Sequence, residues 1–197
     1  MDILKNTAGN ILSYNGTPLG TTWSAAPPGP IYDTSTWIPT MTSRTAPSPL
    51  VSNASSTWDN ASGDSGNDRY CSYRAFDLKD GLGSPWISYN TSVPHWVNID
   101  LGDGQEIAIW KYSITARDSA ESSPESFLFQ GSQNSSDWDT LDTQTGLSGW
   151  VATTIYYFEI DPAPTTAYRY YRYYVTATQG PAIFAAAYAV NIYKYTP

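Results

Sequence analysis

One loop contains the side chains that are best suited to recognising a ligand, TWDNASGDSGNDRY over residues 57–70. It places Trp58 beside Asp59 and Asn60, and further carboxylates, amides and an arginine follow. An aromatic ring can stack on the apolar face of a sugar while fixed polar groups bond its hydroxyls. A loop of this length in a compact domain is often functional, although an ordinary surface loop is an equally good interpretation.

The usual catalytic patterns are missing from the sequence. It has no HExxH, no GxSxG and no glycine-rich phosphate loop, and His95 is its only histidine. The acidic pairs Asp137/Asp139 and Glu121/Glu125 fit solvated loop charges equally well, because sequence spacing does not show the separation that glycoside hydrolysis requires. We therefore predict a binding protein and not an enzyme.

Composition narrows the class of partner. The net charge of −8 repels phosphate backbones and anionic membranes, which argues against nucleic acid and membrane partners. Charged residues make up only 14% of the chain, so Ser, Thr, Asn, Gln and Tyr supply most of the surface polarity, which suits sugars. Cys71 is the single cysteine, which excludes an intrachain disulfide and favours a partly buried free thiol.

No targeting or membrane segment is recognisable. The first residues, MDILKNTAGNILSYNG, lack a basic stretch followed by an apolar run, and no apolar run reaches the length of a membrane helix. We expect a chain without a signal peptide that does not insert into a membrane.

The elements that must position these residues are β-strands. Helical periodicity is nearly absent, and short alternating or apolar runs are separated by clusters of Gly, Pro, Asn, Asp and Ser. This pattern predicts an all-β sandwich or barrel. The predicted strands are WVNIDLG (96–102), IAIWKYSITAR (107–117), SFLFQGS (126–132), TTIYYFEI (153–160), YRYYRYYVTA (168–177) and YAVNIYKY (188–195).

The first 40 residues differ from the rest of the chain. Asn15-Gly16 lies between short β-like runs and predicts a hairpin, and SAAPPGP is typical of an extended linker. We predict an attachment arm over residues 1–40 and one globular domain over residues 41–197. The alternative is an irregular extension that wraps around the domain.

The tyrosine-rich stretch YRYYRYYV, residues 168–175, places large apolar side chains on both faces of a strand. It is therefore predicted to lie inside the sandwich. An arginine at such a place needs a carboxylate partner, and Asp100 in WVNIDLG is the obvious one. We expect a buried Asp100 that is bonded to Arg169 or Arg172.

Nine segments follow one another in a recognisable order. They are NASS (53–56), RAFD (74–77), SPWIS (84–88), PHWVNIDLG (94–102), KYSITAR (111–117), SPESFLFQGS (123–132), DWDTLDT (137–143), YRYYR (168–172) and FAAAYAVNIY (184–193). In this order they resemble the discoidin domains, also called coagulation-factor type C domains, which include galactose-binding-like carbohydrate-binding modules. The resemblance implies an eight-stranded antiparallel jelly-roll β-sandwich, with the tyrosine-rich strand mainly as scaffold.

The resemblance also implies where a sugar would bind. Phe184 falls where many sugar-binding members place their stacking aromatic, and Arg117 falls where they place a donor to sugar hydroxyls. The alternatives are a core aromatic for Phe184 and, for Arg117, an ion pair with Asp118 or Asp100. The complete predicted site contains Phe184, Arg117, Trp58, Asp59, Asn60, Tyr89 and Asn90.

Two positions depart from the family pattern. Ile87 stands where galactose-binding members often carry a histidine, so a galactose preference is not implied. Ala189 stands where the family usually has a glutamate that helps to bind a structural calcium. The predicted metal ligands are Asp77, Asp80 and Ser84, and we expect weak or absent binding because calcium prefers several oxygen ligands.

These features together predict a discoidin-like sandwich that binds carbohydrate without chemistry. The N-terminal arm resembles the modular ends of bacteriophage tail and receptor-binding proteins. This suggests a virion or extracellular-surface component that adheres to bacterial glycans and is held by its arm in a larger assembly. The alternatives are a structural or protein-interaction module, such as a capsid or tail decoration, and a binding module from a secreted glycosidase.

Overall fold

The computed structural model describes residues 3–5, 11–14, 17–18, 30–64, 69–79, 83–89, 92–117, 120–180 and 184–196. The chain divides into two compact units, Met1–Pro30 and Ile31–Pro197. The first unit contains β1 (Ile3–Lys5), β2 (Ile11–Tyr14) and β3 (Thr17–Pro18). These strands form an antiparallel sheet in the order β1-β2-β3. The pairing of β2 with β3 agrees with the predicted hairpin, whose Asn15 and Gly16 lie outside the described residues.

Two antiparallel sheets dominate the second unit. One contains β5 (Val51–Ala54), β7 (His95–Asp100), β9 (Pro124–Ser132), β10 (Asp139–Gln144) and β12 (Tyr170–Thr178), in the order β10-β9-β12-β7-β5. The other contains β4 (Ile31–Tyr32), β8 (Ala108–Thr115), β11 (Ile155–Glu159) and β14 (Ala189–Thr196), in the order β11-β8-β14-β4. A small pair, β6 (Trp86–Ile87) with β13 (Ala186–Ala187), and two 3₁₀ helices, Ser72–Phe76 and Ala120–Ser122, complete the description.

The predicted all-β jelly-roll sandwich is confirmed. All six predicted strands are present, and their ends lie within two residues of the predicted ones. The eight expected strands correspond to the five-stranded sheet and to β8, β11 and β14 of the facing sheet, which β4 extends by a two-residue strand. Within the part of the chain described, no helix is long and apolar enough to cross a membrane.

Aromatic rings fill the space between the two sheets. Tyr112 of β8 stacks on Phe129 of β9, with ring centroids 4.0 Å apart and an interplanar angle of 11°. Phe127 and Tyr173 meet edge to face at 5.1 Å. All four side chains are buried. Stacked and edge-to-face contacts are the geometries that aromatic pairs favour, so these rings join the two sheets.

The side chains of β12 alternate between two environments. Tyr171, Tyr173 and Val175 are buried against the facing sheet, and the outward residues between Tyr171 and Val175 are half-buried. The inner face of the tyrosine-rich strand is therefore scaffold, as the resemblance implied. Its outer face is open to solvent in part.

The partner of Asp100 is Arg169, one of the two that the sequence predicted. Arg169 Nε donates to Asp100 Oδ1 at 2.7 Å, and Nη2 donates to Oδ2 at 3.0 Å. This hydrogen bonding raises the pKa of Arg169. The Asp100 side chain is 18% exposed, so the expected full burial is wrong. Arg169 precedes the first residue of β12, and the pair therefore lies at the rim of the sheet and not between the sheets.

The second unit begins at Ile31, ten residues before the predicted domain start at residue 41. β4 pairs with the end of β14, and Trp37 N donates to Ile192 O at 2.9 Å. Ile38 is 1% exposed. Residues 31–40 thus pack with the sandwich, which the lack of periodicity in their sequence did not indicate. An attachment role for the residues before them stays a prediction.

Candidate functional site

A pocket opens at the end of the sandwich where β8 ends and β14 begins. It has a volume of about 160 Å³ and is lined by Trp58, Tyr70, Ile87, Arg117 and Phe184. Side chains from four separate segments of the chain therefore meet at one place, which we call the loop-end pocket. Phe184, Arg117 and Trp58 of the predicted site are brought together there.

Phe184 is positioned by the small sheet that follows it. β13 pairs with β6, and Ala186 lies opposite Ile87. Ser88 N donates to Ala185 O at 2.9 Å, and Ala185 N donates to Ser88 Oγ at 2.9 Å. Because the residue next to Phe184 is bonded twice, the Phe184 ring is held beside Ile87, which is 2% exposed and forms the apolar floor of the pocket.

Trp58 projects from a tight turn. Thr57 and Asn60 exchange two backbone hydrogen bonds of 2.9 and 2.8 Å, and Thr57 Oγ1 donates to Asp59 Oδ1 at 3.0 Å. The Trp58 side chain at the tip of this turn is 46% exposed. Its ring meets that of Phe184 edge to face, with centroids 5.4 Å apart at 82°. The two rings thus form two walls at right angles.

Arg117 is the second residue after the end of β8. Ala116 N donates to Thr154 O at 3.0 Å, and Thr153 N donates to Ala116 O at 2.9 Å, so the backbone before Arg117 is anchored. The guanidinium carbon of Arg117 lies 5.8 Å from the centroid of the Phe184 ring. A rigid fork of donors therefore stands beside an aromatic face, which is the combination that sugar recognition uses.

The structure also bears on the alternatives for these two residues. Phe184 is half-buried, so it is not a core aromatic. Asp100, one alternative partner of Arg117, is bonded to Arg169. Asp118, the other, lies outside the described residues.

The remaining predicted residues that the structure describes do not line the pocket. Asp59 and Asn60 are used within the loop, because Asp59 accepts a bond from the turn and Asn60 Oδ1 accepts a backbone N–H at 3.1 Å. Tyr89 is 36% exposed and lies outside the lining. Asn90 lies outside the described residues.

Tyr70 and Ile87 are the two lining residues that the predicted site omitted. Ile87 N donates to Tyr70 O at 3.3 Å, which brings the end of the 57–70 loop to the pocket. The guanidinium carbon of Arg69 lies 5.1 Å from the Tyr70 ring. Tyr70 is the second aromatic residue of that loop, so its type and position were the available signal.

Asp77, the predicted carboxylate ligand that the structure describes, already has partners within the protein. Asp77 is 2% exposed, Arg74 Nη1 donates to its Oδ2 at 3.2 Å, and Lys79 N donates to its Oδ1 at 3.1 Å. A guanidinium therefore already lies against the carboxylate that would have to bind the metal. Burial raises the pKa of Asp77, although the bonds from Lys79 and Arg74 oppose this effect.

The described side chains form no cluster of acidic ligands. In the described ranges, no three side chains of His, Cys, Asp or Glu are grouped to hold a metal. Ala189 is buried and has no side-chain oxygen, and Ser84 is half-buried. Asp80 lies outside the described residues. Weak or absent calcium binding stays a prediction.

The candidate catalytic groups have structural contacts. His95 is 1% exposed in β7 and lies opposite Val175 of β12. Asp137 Oδ2 accepts a bond from Asn134 Nδ2 at 2.9 Å, and Asp139 Oδ2 accepts one from a tyrosine hydroxyl at 2.9 Å. This acidic pair therefore holds the connection between β9 and β10 in place.

The two facing antiparallel sheets place the chain in the class of β-sandwich domains. Within this class, the F5/8 type C domain matches residues 51–188, and the chain belongs to that family. Domains of this family are typically non-catalytic binding modules. No curated protein matches the sequence.

Solved structures share the fold at low sequence identity. The CpGH89CBM32-5 module from Clostridium perfringens, in complex with GalNAc-beta-1,3-galactose, has 16% identity and a TM-score of 0.54, and the match covers 73% of this chain and 94% of that chain. The family 32 module of NanJ from C. perfringens, in complex with galactose, has 15% identity and a TM-score of 0.55, with 74% and 93% covered. Chitosan-binding module 1 from a chitosanase/glucanase of Paenibacillus sp. IK-5 has 18% identity and a TM-score of 0.54, with 73% and 93% covered.

Proposed function

We propose that this chain is a non-catalytic carbohydrate-binding module and that the loop-end pocket is its sugar site. The observation that carries the proposal is the meeting of Phe184, Trp58 and Arg117 around one pocket of about 160 Å³. A sugar ring offers an apolar C–H face to an aromatic ring and offers its hydroxyls to planar donors. The sugars named with two structural neighbours support the same class of ligand.

The geometry suggests a division of roles among the lining residues. Phe184 stacks on the sugar, Trp58 stands at 82° to it as a wall, and Arg117 donates to hydroxyls. Ile87 supplies an apolar floor and offers no side-chain hydrogen bond. The ligand is therefore selected by stacking and by Arg117, and a galactose preference is not required.

The affinity of a single pocket of this kind is modest. A few stacking and hydrogen-bond contacts leave about 4–5 kcal/mol net, which corresponds to a Kd of roughly 0.1–1 mM. Presentation of many copies on one assembly would raise the effective affinity through avidity. Strong binding to a glycan surface thus requires multivalency.

The test is a glycan array, followed by calorimetric titration of the glycan that binds best. Phe184→Ala and Arg117→Ala should each weaken binding by about tenfold or more, since each removes one main contact. Tyr157→Ala is the matched control, because this ring is 57% exposed on β11, away from the pocket lining. We expect its affinity to equal that of the wild type.

Two outcomes would contradict the proposal. If both pocket variants fold and bind the glycan as tightly as the wild type, the loop-end pocket is not the sugar site. If the wild type binds no glycan on the array, the structural or protein-interaction alternative replaces carbohydrate binding. Circular dichroism of each variant shows whether it is folded.

We further propose that the module serves on a bacteriophage virion or tail and adheres to bacterial surface glycans. The support is the resemblance of the N-terminal segment to the modular ends of such proteins, together with its own small sheet of β1, β2 and β3. The neighbouring genes test this assignment. Genes for other tail components would support it, and a gene for a secreted glycosidase that contains this module would contradict it.

A further inference from the structure

The outer face of the five-stranded sheet carries a row of polar side chains that crosses all five strands. The register places Thr140, Gln130, Arg172, Asn98 and Asn53 opposite one another on β10, β9, β12, β7 and β5. Directly opposed residues of antiparallel strands share a face, and the residues that flank Arg172, Asn98 and Asn53 are buried towards the core. At the usual strand spacing the row is about 19 Å long. We call it the sheet-face row.

Aromatic rings border the centre of the sheet-face row. The guanidinium carbon of Arg172 lies 4.1 Å from the centroid of Trp138 and 4.5 Å from that of Tyr174. Tyr174 is opposite Trp96 on the neighbouring strand. Trp138 is itself held by a bond from Nε1 to Ser135 O at 3.1 Å. The three rings are half-buried, so each keeps part of its surface in solvent.

Arg172 is fixed in direction but not saturated with hydrogen bonds. Its Nε donates to Gln130 Oε1 at 2.7 Å, and Gln130 Nε2 donates to Thr140 Oγ1 at 3.1 Å. Within the described residues, neither Nη nitrogen of Arg172 has a hydrogen-bond partner, and the Asn98 side-chain amide has none. The middle of the row thus offers preorganised donors to a ligand.

The charge of Arg172 is also uncompensated. Arg169, three residues earlier, binds both Asp100 and Asp103. The chain has 18 acidic residues against 10 basic ones, yet no carboxylate of the described ranges forms an ion pair with Arg172. Burial lowers the pKa of Arg172 because it disfavours the charged form. A carboxylate of a ligand would supply the missing counter-charge at short range, whereas the repulsion from the net charge of −8 acts at long range and is screened by salt.

We propose that the sheet-face row is a second binding site, for an extended oligosaccharide that contains uronic acid. A uronate carboxylate pairs with the Nη nitrogens of Arg172, whose fork matches the two oxygens. The Asn98 and Asn53 amides bond hydroxyls of neighbouring sugar units, and Tyr174 and Trp138 offer their rings. The length of the row suits a short oligosaccharide better than a single small acid. The site is separate from the loop-end pocket and does not rest on its function.

The test is calorimetric titration of the full chain with a tetramer of galacturonic acid and with its methyl ester, in which each charged carboxylate is replaced by a neutral ester of the same sugar. We expect the acid to bind, and we expect the affinity for the ester to be lower by a factor of at least about ten, since charge-assisted hydrogen bonds are the strong ones. Arg172→Gln should weaken binding of the acid by about the same factor. Arg169→Gln is the matched control, because Arg169 is already paired, and it should bind like the wild type. Phe184→Ala should also bind like the wild type.

Each other outcome counts against the site. Equal affinity of Arg172→Gln and the wild type, equal affinity for the acid and the ester, or no binding of the acid at millimolar concentration would each overturn the proposal. A loss in Phe184→Ala alone would place the acid in the loop-end pocket. If Arg172→Gln does not fold, Asn98→Ala takes its place, with an expected weakening of about threefold, and unchanged affinity in that variant would exclude the row.

Discussion

Between the sheets, aromatic rings cover one another, whereas at the loop end the same kinds of ring face solvent. Tyr112 has Phe129 at 4.0 Å and Phe158 at 5.1 Å, both stacked, and it is fully buried. Trp58 and Phe184 touch edge to face, and Trp58 keeps 46% of its surface exposed. Aromatic content alone therefore does not mark a binding site. A ring serves a ligand when its faces remain uncovered, so substitutions should cost stability in the first region and affinity in the second.

The largest expected loss of stability comes from a substitution between the two sheets. Phe129→Ala removes a ring that is 1% exposed and stacked on Tyr112. We expect a loss of about 3–5 kcal/mol in the free energy of unfolding, from lost burial and from the cavity that remains. Urea denaturation measures it. A loss below about 1 kcal/mol would mean that this ring does not join the sheets and that the interior rings do not contribute more to stability than the loop-end rings.

The next largest effect on stability distinguishes a buried tyrosine hydroxyl that is hydrogen-bonded from one that is not. The Tyr112 hydroxyl donates to Asp142 Oδ2 at 2.6 Å, whereas the buried Tyr173 hydroxyl has no partner among the described residues. Burial and Asp142 both raise the pKa of Tyr112, so its hydroxyl keeps the proton that it donates. Tyr112→Phe should lower the free energy of unfolding by about 1.5–3 kcal/mol, because it removes a hydrogen bond to a charged group.

Tyr173→Phe is the matched control for that variant. It deletes a hydroxyl that is buried without a bond, so we expect no loss and a gain of up to about 1 kcal/mol. The same urea titration compares the two variants. A clear loss in Tyr173→Phe would show that this hydroxyl finds a partner, such as a water molecule.

The interior was the part that the sequence predicted best. Alternation in WVNIDLG and in the tyrosine-rich strand follows the period of two of a half-buried strand, so the strands and their inner faces could be assigned. The partner of Asp100 was predicted, but its exposure was not, since pairing at a strand end depends on where the strand begins. Residues 31–40 were assigned to the arm because their sequence has no clear periodicity, and the burial of Ile38 was therefore not predicted.

The loop-end pocket was less predictable for a physical reason. Phe184, Arg117 and Trp58 came from the family resemblance and from loop composition, and the structure groups them. Asp59 and Asn60 have the right chemistry, but they bond within their own loop, which composition cannot reveal. Tyr70 joins the pocket through a contact between Ile87 and Tyr70 that is distant in sequence. Periodic strands follow local rules, whereas loop contacts depend on the completed fold.

A smaller loss of stability is expected when a phenylalanine at the loop end is replaced by alanine. Phe184→Ala also removes a phenylalanine ring, but this one is half-buried and contacts Trp58 by its edge. We expect the free energy of unfolding to fall by about 1 kcal/mol or less, because much of the ring is already in water. Urea denaturation beside Phe129→Ala measures the contrast. Equal losses in the two variants would show that Phe184 is a core residue and would remove the distinction between the regions.

The smallest expected effect is the change in Tm when calcium is removed or added. Within the described residues, the buried carboxylate of Asp77 is matched by Arg74 at 3.2 Å, so the protein supplies a counter-charge where a metal would otherwise do so. A site filled at a hundred times its Kd would add about 2.7 kcal/mol of stability, and each kcal/mol shifts Tm by about 2–4 °C in a chain of this size. We expect excess EDTA to change Tm by less than about 1 °C, and added calcium to do no more. Thermal denaturation monitored by circular dichroism measures both.

Arg74→Gln is the informative variant, because it removes the internal cation and leaves Asp77 in place. It should melt at a lower temperature, again without a response to EDTA, since one buried carboxylate is too few ligands for calcium. A fall of several degrees when EDTA is added to the wild type would show that calcium binds despite Arg74.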